Sequence, residues 1–200
     1  IESLAHVWSE LGNNGATRRS LLINLGGGRV TDLGGFAAST FKRGMEYVNV
    51  PTTLLGAVDA AVGGKTGINF GGLKNEIGVI NSSKSVVINA DFFRTLDAEN
   101  LRSGYAEMIK HGLISNTEIW KHILSFDLDN VDYNRLSELL LESISVKEKV
   151  VEIDPTEKGL RKVLNFGHTV GHAFESYAME IGKPVLHGYA VAWGMISELY

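Results

Sequence analysis

Three sets of residues in this chain have the types and spacing for chemistry. Glu107, Lys110 and His111 fall at i, i+3 and i+4 within Gly104–His111, so on a helix they share one face. In Asn165-Phe166-Gly167-His168-Thr169-Val170-Gly171-His172 the two histidines are four apart and share a face as well. Glu175 continues that face, placed to orient a ligand histidine, and His187 follows just before Gly188. Two histidines and one carboxylate around an open position form a known catalytic zinc arrangement. Glu107 and the three histidines offer that set, and spacing alone favours His168 and His172 as the ligand pair. Cysteine is absent, which excludes a thiolate site and a disulfide framework. His6 and His122 stand alone and read as ordinary structural or exposed histidines.

The third set is suited to anions. Gly26-Gly27-Gly28 follows an apolar run and precedes Asp32 and Gly34-Gly35. Such glycines let backbone N–H groups approach a pyrophosphate at a helix N-terminus, although the spacing is not G-x-G-x-x-G and a tight strand–helix turn reads equally well. Further on, Pro51-Thr52-Thr53-Leu54-Leu55, Asp59, Gly63-Gly64-Lys65 and Lys74-Asn75 place two hydroxyls, a carboxylate and two lysines in glycine-rich loops. Lysines so placed suit phosphate or carboxylate, and the plain alternative is a solvated surface loop.

The elements that position these residues fall into two parts. Most of the 23 glycines precede Gly78, whereas Asp97–Lys162 is nearly free of them. The first part, residues 1–96, reads as α/β. Strands are expected at Ser20–Leu25, Tyr47–Val50 and Val86–Asn89, with a helix over Leu33–Phe41. The second part, residues 97–200, reads as helical. Asp97 is an N-cap for Ala98–Ile114, Leu136–Val151 turns its Glu and Lys outward, and Asn165–Ala178 and Gly188–Tyr200 complete the set. With 44% hydrophobic and 21% charged residues, a net charge of -4 and no basic run, the chain has a globular balance and no nucleic-acid surface. No membrane span and no signal peptide is expected. Residue 1 is Ile and the final apolar helix has no stop signal, so a segment of a longer protein is expected.

In order and spacing, the runs Gly26–Phe36, Arg43–Asn75, Gly104–Lys110 and Gly159–Gly194 resemble the 3-dehydroquinate synthases, a sugar-phosphate cyclase family. P-T-T-L-L, G-G-K, K-N, E-x-x-K, N-F-G-H-x-x-G-H and H-G together are highly specific to it, and the resemblance covers nearly the whole chain. It implies a Rossmann-like N-terminal domain followed by a helical metal- and substrate-binding domain in a cytoplasmic homodimer. It implies zinc or cobalt on Glu107, His168 and His187, replacing the ligand pair that spacing favours. NAD would meet Gly28, Arg29, Val30, Thr31, Asp32, Thr52, Thr53, Asp59, Lys65, Lys74 and the stretch Phe92, Phe93, Arg94, Thr95. The sugar phosphate would meet Lys65, Asn75, Lys110, Lys147, Arg161, Asn165 and His172, with Arg43 reaching in from a partner subunit. Lys110, Asn165 and His172 would hold the phosphate and Arg161 the carboxylate, with Glu157 pairing with Arg161 four residues on.

The implied reaction converts 3-deoxy-D-arabino-heptulosonate 7-phosphate to 3-dehydroquinate. The hydroxyl at carbon 5 is oxidised by NAD, phosphate is eliminated, the hydride returns, and the opened ring closes by an intramolecular aldol step. Three residues depart from the family pattern: Arg29 and Thr31 in the glycine loop, and Tyr189 where Glu usually follows His-Gly. The rival readings are a sister cyclase making 2-deoxy-scyllo-inosose or a valiolone, a metal-dependent polyol dehydrogenase, and a non-catalytic binding fragment.

Overall fold

A computed structural model describes residues 1–200, apart from the side chain of Leu73. The chain opens with α1 (Glu2–Asn13), which sequence patterning had not singled out, and then runs into β1 (Leu21–Gly26). Next come α2 (Gly28–Thr40) and β2 (Glu46–Pro51), a parallel crossover in which Leu21 pairs with Glu46 and Gly26 with Pro51. The third parallel strand is only β5 (Ser85–Val86), shorter than the expected Val86–Asn89, and the sheet order is β1-β2-β5. Leu21, Ile23 and Leu25 alternate onto one face of β1 and stay exposed, while Asn24 on the other face is buried against Asn49 of β2. The glycine-rich stretch is not a loop. It forms an antiparallel hairpin, β3 (Lys65–Phe70) and β4 (Leu73–Ile80), turned by Gly71 and Gly72, both at positive φ.

From Asp97 onward the described elements are helical: α3 (Ala98–Ile114), α4 (Thr117–Leu124), α5 (Tyr133–Ile153), α6 (His168–Glu180) and α7 (His187–Leu199). The Asp97 side chain accepts from the Asn100 N–H at 2.7 Å, which satisfies a free donor at the start of α3. The largest apolar core crosses Asp97. It packs Leu54, Val58 and Phe93 against Tyr105, Met108, Ile123, Leu139 and Ile144. α5 differs from the expected outward placing of its lysines, because Lys147 faces inward and is buried. No helix among the described residues is long and apolar enough to cross a membrane.

Candidate active site

Close backbone approaches among α3, α6 and α7 bring the histidines to Glu107. Gly188 lies so near α3 that a Cβ there would sit 1.8 Å from the Ser103 carbonyl oxygen. Its N–H donates to Ser103 Oγ at 3.0 Å, so the first turn of α7 is pinned one turn from Glu107. Gly194 is pressed onto Gly167 in the same way, with 1.9 Å to the carbonyl oxygen. At the start of α6, Glu198 of α7 accepts from the N–H groups of Gly167 at 2.7 Å and Val170 at 3.2 Å. That carboxylate caps the helix that carries His168 and His172. Sequence reading missed Glu198, a glutamate near a helix end with no spacing to mark it.

Glu107 is fully buried. One oxygen accepts from the Lys110 ammonium, which is buried beside it. The other, Oε1, has no hydrogen-bond partner among the described residues and faces His168 Nε2 at 3.6 Å and His187 Nε2 at 3.5 Å. Donor atoms of these three residues lie within 4.8 Å of one another. A buried carboxylate oxygen left without a partner between two imidazole nitrogens fits a divalent cation. A second group, His172, Glu175 and His187, is also compact, but His172 is 55% exposed and Glu175 is already engaged. Glu175 accepts from His187 Nδ1 at 3.2 Å and from Lys74 Nζ at 2.6 Å. Tyr189, in place of a glutamate, lies beside Arg102.

Charge follows from these contacts. Burial works to raise the Glu107 carboxyl, yet Lys110 and the two histidines bring it to about 2. Burial works to lower His187, and the negative charges of the Glu107 and Glu175 carboxylates beside it reverse this to about 9. His111 is pushed down to about 3 by burial and then by Lys110, so it is a neutral imidazole, and its Nδ1 lies 2.8 Å from Ser143 Oγ. Its sequence position on the Glu107 face thus serves the α3–α5 contact.

The glycine loop sits at the N-terminus of α2, where no side chain caps the helix. The loop after β2 packs directly onto it. A Cβ at Gly56 would lie 2.9 Å from Thr53 Oγ1 and 3.1 Å from the Gly28 nitrogen, and Thr52 N–H donates to the Gly26 carbonyl at 2.9 Å. Open donors at a helix start, with backbone this close, fit the pyrophosphate of a dinucleotide. Thr31 is buried and donates to the Gly28 carbonyl at 2.9 Å, whereas Arg29 and Val30 are exposed. Asp32 behind the loop is raised to about 7 by burial and by Asp59, with Lys147 opposing. Burial would raise Asp59 also, but its ion pair with Lys147 holds it well below the usual carboxylate range.

Several expected partnerships differ. Glu157 does not pair with Arg161, because residues 154–159 form a turn rather than a helix and Glu157 itself has a φ of 59°. Its carboxylate instead binds Lys65 and accepts from Asn165 Nδ2 at 2.6 Å. Arg161 is buried and donates to the carbonyls of Gly63 at 2.8 Å and Pro155 at 2.7 Å. Phe93 is packed fully inside the main core, so its side chain is not free to meet a cofactor. In the same short turn Arg94 pairs with Asp91 and lies over the Tyr133 ring, while Phe92 and Thr95 are exposed. Asn75 lies on the exposed hairpin at a φ of 49°. Arg43 follows the far end of α2 from the glycine loop, beside Arg18 and Lys84, and is not brought to the cluster.

Known proteins share both the sequence and the fold. Residues 1–103 match the N-terminal model of 3-dehydroquinate synthase and residues 104–200 the C-terminal model. The 3-dehydroquinate synthase of Parabacteroides distasonis is 59% identical over 99% of the chain, which spans 56% of that relative. A 2-deoxy-scyllo-inosose synthase solved with carbaglucose-6-phosphate, NAD+ and Co2+ superposes with a TM-score of 0.89 at 27% identity, over 98% of this chain and 54% of that one. The 2-epi-5-epi-valiolone synthase of Streptomyces hygroscopicus, with NAD+ and Zn2+ bound, gives 0.86 at 31% identity over 97% and 54%. The chain therefore spans about half the length of the relatives it matches, and it belongs to the 3-dehydroquinate synthase family.

Proposed function

We propose that this chain carries the metal site and most of the cofactor and substrate contacts of a 3-dehydroquinate synthase. The enzyme takes 3-deoxy-D-arabino-heptulosonate 7-phosphate to 3-dehydroquinate and phosphate, in the cytoplasm, as a homodimer. The observation that carries this reading is the buried, unpartnered Glu107 oxygen between His168 and His187. It occurs in a chain 59% identical to a 3-dehydroquinate synthase but only 27% and 31% identical to the two sister cyclases.

Glu107, His168 and His187 would hold zinc or cobalt, which supplies Lewis-acid polarisation of a substrate hydroxyl. NAD, along Gly28–Asp32, Thr52, Thr53, Asp59, Lys65, Lys74 and the Phe92–Thr95 backbone, would accept a hydride and return it. The chain's own residues do the rest. Lys110 stands one helical turn from Glu107 and, with Asn165 and His172, presents donors to the phosphate. Glu157 holds Lys65 and Asn165 together, so one carboxylate sets two substrate donors. Lys147, with Asn75 and Arg161, completes the substrate contacts, and Arg161 meets the carboxylate with the N–H groups that Gly63 and Pro155 leave over. Arg43 serves the site of the other subunit. Residues 1–96 belong to the NAD-binding domain and 97–200 to the helical one.

The test is phosphate release by the full-length protein on adding the heptulosonate phosphate, with and without a chelator. Release that the chelator stops and zinc restores is expected. Turnover of glucose 6-phosphate or sedoheptulose 7-phosphate alone would sink the reading, as would net NADH accumulation.

A further inference from the structure

Glu175 joins two residues that the proposed function assigns to different ligands. It is 8% exposed at its side chain, sits in α6, and divides its two oxygens. Oε2 accepts from His187 Nδ1 at 3.2 Å, which fixes the ring so that Nε2 points to Glu107. Oε1 takes the ammonium of Lys74 at 2.6 Å. Lys74 belongs to the β3–β4 hairpin, and His187 opens α7. The third group near this carboxylate, His172 Nε2, is 3.9 Å away. A glutamate after His187-Gly188 is not available to share the task, because residue 189 is Tyr and lies beside Arg102.

We propose that Glu175 is a positioning residue through which metal binding and cofactor binding are coupled. The inference rests on the reading that His187 ligates the metal and Lys74 contacts NAD. While Lys74 is bonded to Glu175, it draws carboxylate charge away from the His187 N–H. A cofactor phosphate that captures Lys74 returns the whole carboxylate to His187. The imidazole then becomes a more basic ligand, as outer carboxylates make metal-bound histidines. NAD therefore tightens metal retention, and by linkage the metal tightens NAD by the same factor.

Zinc dissociation constants of the full-length protein, read by competition with a chromophoric chelator with and without saturating NAD, test this. In the wild type NAD should tighten zinc about fivefold, within the usual range of coupling. Glu175→Gln should weaken zinc about tenfold and abolish the NAD effect, while NAD still binds. Lys74→Met, without NAD, should tighten zinc several-fold, and this gain should vanish in the double mutant. Because Lys74 is half exposed, this variant keeps its fold even if Glu175→Gln does not. An unchanged NAD effect in Glu175→Gln overturns the proposal. So does a Lys74→Met gain that survives in the double mutant, since that would be plain removal of a nearby charge. A wild type that retains both ligands without coupling overturns the inference alone, whereas one that retains neither overturns the reading of the site.

Discussion

The Glu107–Lys110 pair of residues 97–200 is closed from water, and the two hairpin lysines of residues 1–96, Lys65 and Lys74, are open to it. Glu107 and Lys110 are 0% and 1% exposed at their side chains, whereas Lys65 and Lys74 are 51% and 52% exposed. The first pair sits on a helix locked by glycine contacts to its neighbours, the second on a two-stranded hairpin that has its own turn and little core. Among the described residues three ion pairs cross between the regions: Asp59 with Lys147, Lys65 with Glu157, and Lys74 with Glu175. The Glu107, His168 and His187 cluster is thus preformed by packing, as an accurate ligand set requires, while Lys65 and Lys74 hold half-exposed ammoniums on carboxylates from which an anion can draw them.

The contrast predicts how substitutions rank. Glu107→Gln should have the largest effect. It leaves the Lys110 ammonium buried without its anion, which costs about 3–5 kcal/mol in urea unfolding. Zinc should also be lost on gel filtration, and phosphate release with it. A variant as stable as wild type and full of metal would break the idea that the helical region is preformed around this charge. Lys147→Met comes next. Asp59 remains a third exposed at its side chain, so water relieves part of the loss, and about 2 kcal/mol is expected. Adding Asp59→Asn should recover some of it, and strict additivity would show that the pair does not interact.

The same contrast explains what could be read from sequence. The helices of 97–200 were legible because Asp97 and apolar spacing mark them, and the H-x-x-x-H and E-x-x-K-H faces follow from helical period. His187 as the third member was not legible from spacing. It arrives through Gly188 and Gly194, whose missing side chains matter only in contact with α3 and α6. In 1–96 the signals competed. Gly71-Gly72 between two extended runs is a hairpin turn, but a dense background of glycines reads as loop. Four-residue spacing pairs Glu157 with Arg161 only on a helix, and the turn at 154–159 removes that meaning and sends Glu157 to Asn165 instead.

Asp32 gives a smaller, pH-dependent effect. Its carboxyl is raised from 3.8 to about 7, so the folded chain holds a proton that the unfolded chain releases between these values. Stability should therefore fall as pH rises from about 4 to about 7 and level off above. Asp32→Asn, which never bears the charge, should remove this slope. It should be more stable than wild type by about 1–2 kcal/mol at pH 8 and equal to it near pH 4, in urea melts at both values. A slope that survives the substitution would place the buried proton elsewhere.

Lys65→Ala should have the smallest effect on stability and separates the two regions most cleanly. Its ion pair with Glu157 is half in water, so its loss should change unfolding by less than about 0.5 kcal/mol. Zinc retention should not change, because no contact of Glu107, His168 or His187 is touched. Phosphate release should nonetheless fall by at least about tenfold if Lys65 is the substrate donor proposed above, since that charge-assisted hydrogen bond is then lost and Glu157 holds only Asn165. A loss in zinc retention would mean that the hairpin supports the helical cluster structurally and that the open region is not independent. Full activity would mean that Lys65 only balances Glu157. Only unchanged folding with lost turnover fits a closed metal centre served by an open, exchangeable set of lysines.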